Sequence, residues 1–371
     1  MAVTRIRFAK RDATRFVEDT KTRVAAYFET TGKSQKADYT MVLKTIIILS
    51  VAIGSYLMIM SNRFTPWQML GLAMVMGVAM AGIGFSIAHD ALHGGYSSSP
   101  RINRMLGFTF DLSGANGYMW KITHNVIHHT YTNIHGIDED LTVSPLLRLS
   151  PGADRKWFHR YQHLYGFAAY SMATINWIFV KDYQQFLKKD LGPYKDKKHP
   201  RSEWVNLIWT KLFCYLYMII LPLLILDIAW WQYVIGFVAM HLVAGTILGV
   251  IFQLAHVVEG TEYPVPDVQG NIDNQWVIHE METTADFAHG NKVLSWYIGG
   301  LNYQIEHHLF PQVCSIHYPA IAKIIQEVAE ETGVPYNNAP TLRAAIKSHY
   351  NMLKQLGVSD PVAQPHPLVA A

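Results

Sequence analysis

The chain has 371 residues, 50% hydrophobic and only 16% charged, where ordinary soluble domains carry about a quarter. That balance excludes an ordinary soluble domain and points to an integral membrane protein. A formal net charge of +3 with pI near 8.6 asks for no nucleic acid, and Cys214 and Cys314 alone supply no disulfide framework.

The first forty residues hold Arg5, Arg7, Lys10, Arg11, Arg15, Lys21 and Arg23 without the apolar core of a signal peptide, so nothing marks the chain for secretion. Phe16, Val17, Val24, Ala25 and Phe28 alternate with Arg15, Glu18, Lys21 and Arg23 at helical spacing. This N-terminal arm, 1–40, reads as an amphipathic helix on the membrane surface or, equally, a solvated helix packed on the rest.

Residues 41–60, 66–88, 205–226 and 230–255 are four apolar stretches, each long enough for a hydrocarbon core of ~30 Å at 1.5 Å per residue. The short links 61–65 and 227–229 make them two helical hairpins, so the fold class is all-α integral membrane. Trp67, Trp204, Trp209, Trp230 and Trp231 cluster near the span ends, where indole rings settle at headgroup depth. Lys211 lies close enough to its span's start to snorkel outward. The segment between the hairpins is rich in lysine and arginine, as is the arm, while the two links offer only Arg63. Positive-inside logic therefore puts both termini and the central segment in the cytoplasm of a bacterial cell membrane, or of the endoplasmic reticulum in a eukaryote. Residues 105–120 are apolar but broken by Asp111, Gly114 and Gly117, which predicts a re-entrant or interfacial segment.

Histidines gather on that same side. His89 and His93, and His124 and His128, are four apart and share a helix face, so each pair can grip one ion; His129 points about 100° round from His128 and reaches toward a second. Gln304, His307 and His308 follow the last span, and His256 closes it. Eight imidazoles and one amide exceed the roughly six positions of a single ion, so two metals are expected, held by a cytosolic helical cap. A shell almost wholly of neutral imidazole suits a redox metal meeting dioxygen better than a hydrolytic pair. His241 reads as a bundle-facing polar residue in mid-span. His135, His159, His163, His199, His279, His289, His317, His349 and His366 lack partners at ligand spacing and read mostly as surface. Lys195, Lys197 and Lys198 suit lipid headgroups, an acidic electron carrier or coenzyme A phosphates. After the catalytic region, 41–318, the segment 319–371 offers two amphipathic helices and a Pro-rich tail from Val358 that reads as disordered.

The boxes His89-x-x-x-His93, His124-x-x-x-His128-His129 and Gln304-x-x-His307-His308, with four spans in two hairpins, resemble the membrane fatty-acyl desaturase family. The likeness runs from about residue 40 to 320 and takes in Thr132-Asn133, Asp138-Glu139-Asp140, Glu282-Thr283-Thr284 and the run Gly299 to Gln304. Glutamine opening the third box is similar to the front-end subgroup, which often carries a fused cytochrome-b-type domain with His-Pro-Gly-Gly; here His199-Pro200 is followed by Arg201. The resemblance implies two irons that use O2 to place a cis double bond in an acyl chain carried on coenzyme A or a lipid. Electrons are then expected from a separate ferredoxin, cytochrome-b-type protein or flavin reductase.

An unactivated methylene offers no handle to acid or base, so selection must come from a narrow apolar tunnel. Gly82, Gly84, Ala88, Gly245 and Gly249 can leave room for it, or simply pack helices closely. Asp90, Asn125, Asp286 and Glu306 are candidates to orient the ligating imidazoles, with a surface or capping role equally open. Asp138, Glu139 and Asp140 can do the same or solvate a loop. Two rivals stand: a hydroxylase on the same scaffold, and a metal transporter or sensor, although transporters hold ligands at mid-bilayer, where only His241 lies.

Overall fold

The computed structural model describes residues 6–9, 15–142 and 144–359, so His366, most of the Pro-rich tail, and Arg5, Lys10 and Arg11 lie outside the described residues. In chain order the elements are β1 (Arg7–Phe8), α1 (Arg15–Thr31), α2 (Tyr39–Met60), α3 (Pro66–Leu92), α4 (Pro100–Leu112) and α5 (117–128). Next come α6 (Gln162–Ser171), α7 (173–187), α8 (Arg201–Ile225), α9 (Trp230–His256), β2 (Asn271–Ile272) and α10 (Trp276–Thr283). The last are β3 (Asp286–Phe287), α11 (Gln304–Leu309), α12 (Tyr318–Thr332), β4 (Asn338–Ala339) and α13 (Leu342–Val358).

Helices α2, α3, α8 and α9 are the four candidate spans, within a few residues of the predicted limits. Their starts are written locally. Asp38 caps α2 by accepting from the amides of Thr40 and Met41, and Thr65 with Gln68 forms a reciprocal capping box ahead of Pro66. Helix α3 packs on α2 and α9, and a Cβ at Gly77 would strike the Met240 carbonyl. At the link end, Asn62 joins the two hairpins: its Nδ2 donates to the Ile225 carbonyl at 2.7 Å and its Oδ1 accepts from the Asp227 amide at 2.9 Å. The opposite end, where α3 and α9 finish at His89 and His256, is therefore free to carry a site.

Three segments widen into π-type turns there: Ile83–Ala88 in α3, Lys121–His128 in α5 and Trp177–Lys181 in α7. Such widenings collect at functional sites. In α5 the His129 amide donates to the His124 carbonyl, five residues back, at 3.1 Å. The rings of His128 and His129 each lie 4.9 Å from that of His124.

The cap is tied together by two short parallel pairs. β1 pairs with β2 (Arg7 with Asn271, Phe8 with Ile272), and β3 with β4 (Asp286 with Asn338, Phe287 with Ala339). Helix α1 lays Phe16, Val17, Val24 and Phe28 on Ile321, Ile325 and Val328 of α12. Its apolar stripe thus faces protein, which decides between the two readings of the arm. Helix α4, at thirteen residues, is too short to span and leaves Met105 exposed.

Lys211 corrects the snorkelling expectation. It is buried, with Nζ 2.7 Å from Asp182 and donating to the carbonyls of Gly114 (2.7 Å) and Trp177 (3.1 Å). A carboxylate and two carbonyls replace the water it would otherwise have sought. The histidines read as surface residues are likewise mostly not: His159, His279, His317 and His349 are buried, His163, His199 and His289 half-buried, and only His135 exposed among those described. Remote groups meet these rings: His349 is 2.7 Å from the Val257 carbonyl and 3.0 Å from the Tyr170 hydroxyl, and His279 packs on the Phe8 ring at 5.0 Å. His241 stays inside the bundle beside Thr174, at 3.1 Å.

Candidate metal centre and acyl cavity

The end of α3 supplies His89 and His93, α5 supplies His124, His128 and His129, α9 ends on His256, and α11 carries His307 and His308. All eight rings are buried and form one continuous cluster. Ring centroids lie 4.6 Å apart for His89 and His93, 4.5 Å for His89 and His307, 4.6 Å for His128 and His256, and 4.9 Å for His256 and His308.

Within it, two sets bring ligand nitrogens within 4.8 Å of one another: His89, His93, His124 and His307, and separately His128, His256 and His308. His124 and His128, expected to share an ion, fall in different all-imidazole sets but also form a group of their own with Asp140. Their rings stack at 4.9 Å. His129 lies between the sets, 4.3 Å from His308 in a stacked arrangement and 4.5 Å from His307.

The nitrogens sort by direction. One side of the rings faces outward onto protein: His124 Nδ1 lies 3.0 Å from Asp140, His128 Nδ1 3.0 Å from Asp138, and His308 Nδ1 2.6 Å from Glu280. His307 Nδ1 meets the Tyr318 hydroxyl at 3.2 Å, and His256 Nδ1 the Thr283 carbonyl at 3.3 Å. On the inward side, Nε2 of His89, His93, His124, His129, His307 and His308 has no partner despite burial. Buried polar atoms are seldom left so. Imidazole held by a carboxylate at one nitrogen and bare at the other is the usual arrangement of a metal ligand, so the residues fit two metals.

Electrostatics agree. Burial, helped by neighbouring imidazoles, holds His93, His129, His307 and His308 well below the ordinary histidine range, and drives His124 down to about 3. Neutral rings are the ligating form. For His128, burial pulls downward but Asp138 outweighs it, lifting the ring to about 9.

Four side chains proposed from sequence as orienting groups hydrogen-bond elsewhere. Asp90 accepts from the Ser315 amide and hydroxyl, and Asn125 donates to the Leu92 carbonyl. Asp286 accepts from the Ile305 amide, Tyr336 and His289, while Glu306 accepts from Tyr336. They brace the boxes without a hydrogen bond to any of the eight clustered imidazoles, although Asp90 lies 3.8 Å from His89 Nδ1. Gln304 is buried, and its amide nitrogen donates to the Leu301 carbonyl at 2.9 Å, which leaves only its oxygen as a ligand atom.

Glu280 and Tyr318 were not legible in the sequence, for neither stands at a telling spacing from a histidine. Asn133, in the left-handed conformation at φ 59°, ties the site to α9 by donating to the His256 carbonyl at 2.9 Å, and its amide donates to Asp138.

A cavity of about 630 Å³ runs along the cluster, floored by His124, His128 and His256 and walled by Trp177, Leu248 and Phe252. Glu139, Lys181, Gln184 and Lys188 also line it, and a small void beside His89 and Gly84 shares its walls Trp120 and Phe252. Gly249 lines the cavity, whereas a Cβ at Gly245 would strike the Ser171 carbonyl, so that glycine serves close packing. A separate crevice of about 70 Å³ near the links touches no histidine.

Residues 65–340 match the fatty acid desaturase family, and the three boxes, both nitrogen sets and the cavity lie inside that span. The chain belongs to the fatty acid desaturase family. It is 38% identical over 347 residues to the sn-1 linoleoyl-lipid 6-desaturase of Arthrospira platensis, covering 93% of each chain. To the protein of that name from Synechocystis sp. it is 38% identical over 340 residues, 90% of this chain and 93% of the other. To the acyl-lipid (8-3)-desaturase of Physcomitrium patens it is 33% identical over 342 residues, 92% of this chain and 71% of that one. This desaturase is an integral membrane oxidoreductase of fatty-acyl lipids, and its histidine clusters are built so that they could hold metal.

Proposed function

We propose that this desaturase places a cis double bond in an acyl chain carried on a membrane lipid, on the carboxyl side of an existing double bond, using two irons and O2. The observation that carries it is the row of bare Nε2 atoms facing one another beside a cavity whose walls are mostly apolar. His89, His93, His124 and His307 hold one iron, and His128, His256 and His308 the other. His129 and the Gln304 oxygen are the remaining donors. When bound, the irons supply O2 activation. Over one turnover the substrate loses two hydrogens from adjacent carbons, a separate carrier protein adds two electrons, two protons come from water, and O2 leaves as two waters.

The chain's own residues do the selecting. Trp177, Leu248 and Phe252 exclude water from the methylenes and hold them against His124, His128 and His256, converting a weak bimolecular encounter into a fixed geometry. Asp138, Asp140 and Glu280 keep the rings turned inward. Lys181 and Lys188 offer cations to a lipid headgroup, and the lysine- and arginine-rich box side suits a cytosolic face with both termini. The lipid carrier and the front-end position are supported by the names of the relatives and by Gln304.

Fatty-acid profiling of a host supplied with linoleate, with double bonds located by mass spectrometry, tests this. A new double bond nearer the carboxyl end is expected; an added hydroxyl group would make the chain a hydroxylase. Replacing His128 or His307 by Ala should abolish product and lower bound iron while membrane insertion persists, and unchanged product in either would overturn the ligand assignment.

A further inference from the structure

A smaller group of ligand side chains stands apart from the eight imidazoles. Asp286, His289 and Glu306 bring two carboxylate oxygens and a ring nitrogen within 4.8 Å of one another. His289 Nε2 lies 2.8 Å from Asp286 Oδ2, and the Tyr336 hydroxyl lies 2.7 Å from that same oxygen and 3.0 Å from Glu306 Oε1. A hydroxyl has one proton, so Tyr336 can serve only one of the two carboxyls at a time. Glu306 Oε2, on the carboxyl that faces this group, has no partner at all. Asp286 and Glu306 are fully buried, and among the described residues neither forms an ion pair with lysine or arginine. Two carboxyls buried side by side are costly unless a cation or further donors meet them, and here both are short. Remote segments build the group: β3 supplies Asp286, α11 supplies Glu306, and Asp286 Oδ1 accepts from the Ile305 amide at 2.9 Å. His289 returns to Asp286 across Ala288, which at φ 52° is the one left-handed position among the described residues held by neither glycine, asparagine nor aspartate. Its ring stacks on Tyr303 at 4.3 Å and is half-buried, which leaves a way in from solvent.

We propose that Asp286, His289 and Glu306 form a further metal site, for a structural first-row divalent cation that clamps α11 to β3. The two carboxylates balance the charge of the ion, and the ion supplies what Glu306 Oε2 lacks. An imidazole in the set favours zinc or manganese over magnesium and calcium, which take oxygen ligands. Ligation through Nε2 puts the ring proton on Nδ1, 3.4 Å from the side-chain amide of Asn338, which accepts it once turned to present its oxygen. Glu306 leads directly into His307 and His308, so the clamp fixes where the third box begins. None of the three ligands lines the acyl cavity, and the site does not depend on the desaturase reading.

The test uses iron-loaded full-length protein in detergent, as wild type, His289→Ala and Glu306→Gln. Each is equilibrated with a small excess of ZnCl2 or, in a parallel arm, MnCl2, then passed through gel filtration, and iron and added metal are counted by plasma mass spectrometry. Thermal unfolding is followed with and without the added ion. Wild type should retain one zinc or manganese per chain with its iron undiminished, and should melt at a higher temperature with the ion, because a ligand of the folded state alone stabilises it. Both variants should lose that ion and the rise in melting temperature while keeping their iron. Glu306→Gln preserves the shape of the side chain, so it decides the matter if His289→Ala misfolds. The proposal is overturned if wild type retains no added ion, gains it only in exchange for iron, or retains no more than both variants do. Equal loss of iron and added metal in both variants also overturns it, since that means collapse of the boxes. Wild type that takes up no iron yet still holds the added ion would strike the two-iron reading and support this site.

Discussion

Glu280 Oε2 lies 2.6 Å from His308 Nδ1 and 2.9 Å from the Thr132 hydroxyl, with Glu280 and His308 fully buried and twenty-eight residues apart in the chain. A single carboxylate oxygen thus meets both the ring and the hydroxyl.

Glu280→Ala should therefore leave His308 free to rotate and lower metal affinity or activity roughly 10- to 100-fold. Glu280→Gln, which can still accept from Nδ1, should lose less. Metal content by plasma mass spectrometry, read beside product yield, checks the order; equal loss in both would show that charge, not orientation, is what Glu280 provides.

Asp111, at the end of α4, has its pKa pushed up by burial to about 7, against hydrogen bonds from the Gly117 amide and Asn206 that lower it. Between about pH 4 and 7 the native state therefore holds more protons than the unfolded one, and stability falls as pH rises through that window. The move from the usual 3.8 corresponds to on the order of 4 kcal/mol at most. Asp111→Asn should flatten the dependence, as read from thermal unfolding in detergent across that range.

The ion pair of Lys211 and Asp182 is buried at both ends. Removing one partner leaves an uncompensated charge, so Asp182→Ala should destabilise by about 3–5 kcal/mol, while the double change Lys211→Met with Asp182→Leu should lie much nearer wild type. A double-mutant cycle in detergent-solubilised protein measures it, and additive losses would show that the two do not act as a pair.

Phe16 is almost fully buried between α1 and α12, and Arg23 pairs with Glu331 at 2.5 Å in the open. Phe16→Ala should cost about 3–5 kcal/mol, and Arg23→Ala should leave stability almost unchanged, because an exposed pair is screened by solvent. If Phe16→Ala left stability intact while releasing α1 to lipid, the arm would be a membrane anchor after all.

The spans, their pairing into hairpins and the box histidines were legible because each is a local property. Twenty apolar residues in a row have one stable solution in a bilayer, and capping by Asp38 and Thr65 needs only near neighbours. His256 was legible too, since the end of a span sets its depth. What could not be read was how the imidazoles divide. Helical spacing pairs His124 with His128, which the structure groups with Asp140, but spacing does not show that His124 also joins His89, His93 and His307. Nor does spacing show that His349 reaches Val257, or that Lys211 finds Asp182 rather than water.

Sequence alone thus determined the membrane class and the candidate donors, because hydropathy and ligand chemistry belong to residues one at a time. Only the tertiary structure decided which nitrogens face inward, which carboxyls hold them there and where the surface touches the centre. Those depend on hydrogen bonds that join segments far apart in the chain, and such bonds exist only once the helices have packed.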